Sequence, residues 1–162
     1  MQKRRVMRRL CLWTWAFAIL GCGGSAYDDL AAARQALADP DYPAAIEAAA
    51  AGLANDPDEI TAWGLELAKL EALARNGDGA AAAAHLNSLA ERWPERVPVT
   101  QYAATADQLR QAGRKPEAIQ VLDAGIQRFP GDAMLVRLIG ADDSSGMESA
   151  ELDMLRSLGY VE

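Results

Sequence analysis

The chain has 162 residues, 51% of them apolar and 6% aromatic, with 16 Lys and Arg against 23 Asp and Glu and a formal net charge of −7. An acidic balance of this kind excludes a basic nucleic-acid-binding surface and charge-driven attachment to anionic membrane. Two cysteines in the whole chain exclude a disulfide-built scaffold.

Residues 1–24 read as a targeting segment and stand apart from the fold. Lys3, Arg4, Arg5, Arg8 and Arg9 open it with no acidic residue, and the largely apolar run Leu10 to Leu20 follows, ending at Gly21-Cys22. That run is well short of the roughly 20 residues that span a bilayer, so it reads as a signal-peptide core. Ile19-Leu20-Gly21-Cys22 resembles the lipobox of bacterial lipoproteins, in which a small residue precedes a cysteine that is acylated and becomes the new N-terminus. Leu20 departs slightly from the pattern, which has a smaller residue at that place. An ordinary secretory peptide cleaved near Gly24 is the alternative, and the pairs Arg4-Arg5 and Arg8-Arg9 lack the rest of a twin-arginine export pattern. The lipobox resemblance implies lipidation at Cys22 and a place in the bacterial cell envelope. By resemblance to Gram-negative lipoprotein sorting, Gly23 rather than Asp after the cysteine favours the outer membrane, facing the periplasm. Cys11 would leave with the signal, and the remaining 11 basic residues would face all 23 acidic ones, a net charge of −12.

Apolar residues then recur at helical spacing in segment after segment. Ser25 to Ala38 carries Leu30, Ala33 and Leu37 and ends at Asp39-Pro40-Asp41. Tyr42 to Asn55 carries Ile46, Ala49, Gly52 and Leu53 and closes at Asp56-Pro57. Asp58 to Arg75 carries Trp63, Leu67, Leu70 and Ala74, and Asn76-Gly77-Asp78-Gly79 breaks it. Ala80 to Arg92 places Leu86 and Leu89, with Trp93, inward. Pro98 to Gln111 carries Tyr102, Ala106 and Leu109, and Gly113 supplies a left-handed stop. Lys115 to Arg128 has Pro116 in its first turn, where the missing N–H costs nothing, and buries Ile119, Leu122, Gly125 and Ile126. No segment shows a period of two, so the expected class is all-α.

The segments repeat. Ala45, Ala82 and Ala118 are each followed twelve residues later by Pro57, Pro94 and Pro130, at intervals of 37 and 36. A unit that cannot bury its own apolar face must stack on its neighbours. Gly113-Arg114-Lys115-Pro116-Glu117-Ala118-Ile119, continuing to Leu122, Gly125-Ile126 and Pro130, resembles the second half of a tetratricopeptide repeat (TPR). In that family a large aromatic stands near the start of each first helix, and Trp63 and Tyr102 occupy that place. The small residues at the helix crossings correspond to Ala45, Gly52, Ala82, Ala118 and Gly125, and they permit close approach of the axes. An unrelated alanine-rich bundle is the alternative.

The resemblance covers residues 27–139 and implies antiparallel helix pairs stacked as a short right-handed solenoid, with the domain at 25–139. The first unit departs from it, having no large aromatic inside its first helix. The periods exceed the family's usual 34, which is assigned to the Asn76–Gly79 break and the Arg96–Pro98 approach. Ala133 to Ile139 begins like a fourth unit. After a polar linker at 140–147, the segment 148–162 forms a final helix with Leu152, Leu155 and Leu158 along one side, expected to cap the last pair or to remain a detachable tail. Leu155-Arg156-Ser157-Leu158-Gly159-Tyr160-Val161 also looks like the closing segment of many bacterial sulfatases. The sulfatase nucleophile motif, Cys-x-Pro-x-Arg or Ser-x-Pro-x-Arg, has no counterpart here.

Side chains suited to catalysis are scarce. His85 is the single histidine, within an alanine-rich helix, and reads as packing or surface. The acidic groups Asp39-Pro40-Asp41, Asp56-Pro57-Asp58-Glu59 and Asp142-Asp143 lack the alternating spacing and central glycine of a calcium loop. Asp41 and Asp58 read instead as helix N-terminal caps. No glycine-rich phosphate loop is present, and no cofactor, metal or enzymatic activity is expected. The expectation is an exported, lipid-anchored scaffold that binds a protein or peptide partner at the envelope. The family lines its groove with the first helix of each pair, which implies Arg34, Thr61, Ala68, Glu71, Thr100, Asp107 and Arg110 as lining residues. The alternative is an accessory subunit that docks its C-terminal tail on an exported sulfatase-like hydrolase.

Overall fold

Four helix starts in this chain are written by short polar side chains, and the computed structural model, which describes residues 24–140 and 155–159, shows them at work. Ser25 opens α1 (Ala26–Ala38) with a capping box: its Oγ accepts from the Asp28 N–H at 3.2 Å, and Asp28 Oδ2 accepts from the Ser25 N–H at 3.0 Å. Asp41 accepts from the Ala44 N–H at the start of α2 (Tyr42–Ala54). Asp58 accepts from both Ile60 and Thr61 N–H at the start of α3 (Glu59–Arg75). These carboxylates satisfy orphan backbone donors, as their positions in the sequence suggest. α4 (Gly79–Arg92), α5 (Val99–Gln111) and α6 (Lys115–Arg128) follow without side-chain caps. Asp132 then opens α7 (Ala133–Gly140) by accepting from the Met134 and Leu135 N–H groups. A further helical turn lies at 155–157, and no strand occurs among the described residues, so the fold is all-α. Residues 1–23, with the expected targeting segment and Cys22, and residues 141–154 and 160–162, with most of the expected linker and final helix, lie outside the described residues.

The helices pack in neighbouring pairs: α1 on α2, α2 on α3, α3 on α4, α5 on α6 and α6 on α7. Alternate helices also meet, α1 with α3, α3 with α5, α5 with α7, and α4 with α6, whereas α4 and α5, though consecutive, meet only slightly. α3 therefore contacts four helices, and its buried set is wider than the single stripe its sequence suggests. Besides Leu70 and Ala74 it buries Leu65, Glu66, Ala68, Ala72 and Leu73, while Trp63 and Leu67 are only half-buried. Two apolar clusters result. Leu30, Ala33, Ala49, Leu65 and Ala68 form the smaller one beneath α1 to α3. The larger runs from the other side of α3 to α7 and includes Tyr102, Leu109, Leu122, Leu135 and Leu155.

The 37 and 36 spacing recurs in three dimensions. After α1, α3 and α5 the chain reverses through the same closure, an N–H reaching back five residues: Asp41 to Ala36, Asp78 to Leu73 and Arg114 to Leu109, at 2.8, 3.0 and 2.7 Å. Gly77 and Gly113 hold the left-handed position of two of these turns, with φ of 77° and 75°. Ala45, Ala82 and Ala118 are fully buried. The Asn76–Gly79 break is thus no longer than its counterparts and does not account for the extra length. That length lies inside α3, which has 17 residues where α1 and α5 have 13, and in the longer connection between α4 and α5.

Candidate functional site

α3 supplies one continuous face to a possible site because Gly64, Leu67, Ala68, Glu71 and Arg75 follow one another at helical spacing. Arg34 and Leu37 of α1 meet this face at a depression of about 140 Å3, floored by Gly64, Leu67 and Ala68 and rimmed by Glu71. Gly64 matters sterically, since a Cβ there would stand 3.0 Å from Leu30 Cδ2 and 3.5 Å from an Arg34 guanidinium nitrogen. Glu71 and Arg75 form an ion pair of 2.8 Å. Arg75 then enters a second depression of about 340 Å3, with Tyr42, Gln108, Gln111 and Ala112. Arg34 is an exposed guanidinium with no carboxylate against it among the described residues. Two small depressions, one apolar at its floor and one amide-rich, are therefore joined by an ion pair.

The sequence-derived lining residues fall into three groups. Arg34, Ala68 and Glu71 come together at the first depression, with Ala68 buried in its floor. Asp107 is exposed and accepts from Gln111 Nε2 at 2.7 Å, which ties it to the second. Thr61, Thr100 and Arg110 lie apart from both. Thr61 is buried, and its hydroxyl donates to Asp58 Oδ2 at 2.6 Å as part of the α3 cap. Arg110 reaches from α5 to α7 and donates to the Leu138 carbonyl at 2.7 Å. Thr100 sits exposed in the first turn of α5. Cys22 lies outside the described residues. Leu37 and Leu67 have the spacing of core residues, yet both are half-buried and line the depression, Leu37 while also packing on the smaller apolar cluster. Arg75, Gln108 and Gln111 were missed, although Arg75 stands one helical turn after Glu71.

On the opposite side of α3 lies a charged clamp. Glu66 is buried, with its side chain 6% exposed; Arg92 stands 2.7 Å from its Oε1 and His85 Nε2 3.0 Å from its Oε2. The same His85 nitrogen is 3.2 Å from the Glu66 carbonyl. Both neighbours are acceptors, so Nε2 carries the proton. Burial by itself would raise the Glu66 carboxyl, but hydrogen bonds from His85 and Arg92, reinforced by their charge, hold it below its ordinary value. Arg92 also lies 4.5 Å from the centre of the Trp93 ring, and Trp93 meets Trp63 edge-on at 5.6 Å. The next unit repeats the arrangement: Tyr102 meets Phe129 edge-on at 6.0 Å, with Arg128 over Phe129 at 5.9 Å. In the first unit a hydrogen bond of 2.9 Å from Asn55 Nδ2 to Asp29 closes the corresponding end. The lone histidine and its carboxylate are thus engaged in holding α4 to α3. No group of three metal-binding side chains occurs among the described residues, and no described helix is long and apolar enough to cross a membrane.

No family model, curated protein or solved structure matches this chain.

Proposed function

We propose that this protein is an exported, lipid-anchored scaffold whose helix pairs stack as a short TPR-like right-handed solenoid and offer a groove to a protein or peptide segment at the cell envelope. The observation that carries the reading is the shared face of α1, α3 and α5. There Arg34, the Glu71–Arg75 pair and the Gln108–Gln111 amides line adjoining depressions. An extended peptide could place an apolar side chain over Leu37 and Leu67 and satisfy its backbone groups on the amides beyond. Recurrence of the five-residue backbone closures at 37 and 36 supports the repeat architecture. Affinity in such grooves concentrates in a few side chains.

Selection of a displayed peptide library on the mature domain tests this. Selected peptides are expected to lose at least tenfold in affinity on Arg34→Glu or Leu67→Glu, about 1.4 kcal/mol, and to be indifferent to Val136→Glu on α7. Equal loss on all three, or on none, defeats the groove.

The alternative, docking of the tail on an exported hydrolase, needs the tail's apolar side free. Leu155 is 1% exposed and belongs to the larger core cluster, with Leu158 packed against it. This favours a tail that covers its own domain. Capture of a sulfatase-like hydrolase by an immobilised peptide of residues 148–162 would reverse that preference.

A further inference from the structure

The described residues contain three large apolar side chains that are exposed, and two of them stand at the end where the chain enters the fold: Tyr27, 71% exposed, and Ile60, 81% exposed. Tyr27 lies in the first turn of α1 and Ile60 in the first turn of α3. Tyr27, Asn55, Pro57 and Asp58 line one depression of about 490 Å3 together with Gly24, which places the two helix starts beside the entry point. Asn55 fastens that entry, donating to the Gly24 carbonyl at 3.4 Å and to Asp29 Oδ2 at 2.9 Å. Only two peptide units separate Cys22 from Gly24, a reach of at most roughly 8 Å.

We infer that this end of the domain rests in the headgroup layer of the bilayer that holds the acyl chains on Cys22, with Tyr27 and Ile60 dipping into the interface. The inference rests on the lipid-anchor reading and adds an orientation to it. A tether so short brings whatever surrounds Gly24 to the membrane. Tyr suits the interface because its ring is apolar and its hydroxyl can stay in the wet layer. The nearby carboxylates are mostly held by the protein itself. Asp28 is in the capping box with Ser25, Asp58 caps α3, and Glu59 pairs with Arg96 at 2.6 Å. They still disfavour anionic headgroups, so the contact is with zwitterionic lipid.

The test uses the full lipidated protein in phosphatidylcholine vesicles, with an environment-sensitive fluorophore on Ile60→Cys or, as control, on Val136→Cys. Position 136 is exposed on α7, which has no contact with α1. Brominated phosphatidylcholine is expected to quench the label at 60 and leave that at 136 bright, and added phosphatidylglycerol to weaken the quenching at 60. Equal quenching at both positions, or none at 60, overturns the inference. So does shielding of position 60 from a water-soluble quencher without bromolipid quenching, since a protein partner would then cover this end. Fatty-acid labelling of the wild type and of Cys22→Ser separates the two levels. Absence of acyl label on Cys22 removes the anchor and this orientation with it, whereas acylation together with a water-exposed position 60 overturns the orientation alone.

Discussion

Glu66 and His85 meet across the α3–α4 crossing, Oε2 to Nε2, at 3.0 Å. The carboxylate's other oxygen is taken by Arg92, so a single buried side chain fastens the second helix pair at two points. A buried acid with both oxygens engaged resists mutation because removing its charge leaves two donors facing a weaker acceptor.

Glu66→Gln is expected to lower stability by about 2 kcal/mol, the scale of a hydrogen bond to a charged group, seen as a lower urea midpoint with unchanged slope. The sign of the pH effect follows from the depressed carboxyl. Its folded pKa lies below the unfolded value near 4.5, so the contribution is complete above that value and is lost as pH falls through the folded pKa. The wild type should therefore lose more stability than Glu66→Gln across the acid range. Parallel acid profiles for the two proteins would show that the clamp carries no such linkage.

Gly52 and Gly125 occupy matching positions, seven residues after Ala45 and Ala118. A Cβ at Gly52 would fall 2.8 Å from Leu65 Cδ2 and 2.9 Å from Asp29 Cβ, and one at Gly125 would fall 2.9 Å from Leu135 Cδ1 and 3.1 Å from Tyr102 Cβ. Overpacking costs roughly 1–3 kcal/mol, against a helix-propensity gain for alanine of at most about 1 kcal/mol. Both Gly→Ala variants should melt lower than the wild type. An unchanged or raised melting temperature would mean that the pairs have slack at these crossings. Leu89 holds the equivalent place in α4, the helix that packs least on its successor.

Arg110 ties α5 to α7 through the Leu138 carbonyl. Arg110→Ala should therefore speed amide exchange in α7 while leaving α1 to α4 unchanged, because, of α1 to α6, α7 contacts only α5 and α6. Uniform acceleration throughout the chain would contradict a local strut. The same bond makes Arg110 a poor probe of the groove, since any change there also loosens α7.

Periodicity, caps and breakers are local, and for that reason they were legible without coordinates. Helix ends came within a residue or two because Asp41, Asp58, Gly77 and Gly113 act on their immediate neighbours. The alanines at 37 and 36 are all fully buried, and Gly52 and Gly125, two of the small residues, do lie at close helix contacts. Which side of a helix becomes a groove is another matter. Leu37 and Leu67 have the spacing of core residues, yet they stay half open in a depression beside Arg34, while Thr61, on α3 with Leu67, closes into a cap. Glu66 carries no mark of burial in its sequence, because its partners His85 and Arg92 lie 19 and 26 residues away. Sequence alone determined the helices, their repeat and the acidic character of the chain, all of which depend on neighbours along the backbone. The tertiary structure decided the buried clamp and the shape of the shared face, because desolvation and steric fit depend on which distant side chains arrive at the same place.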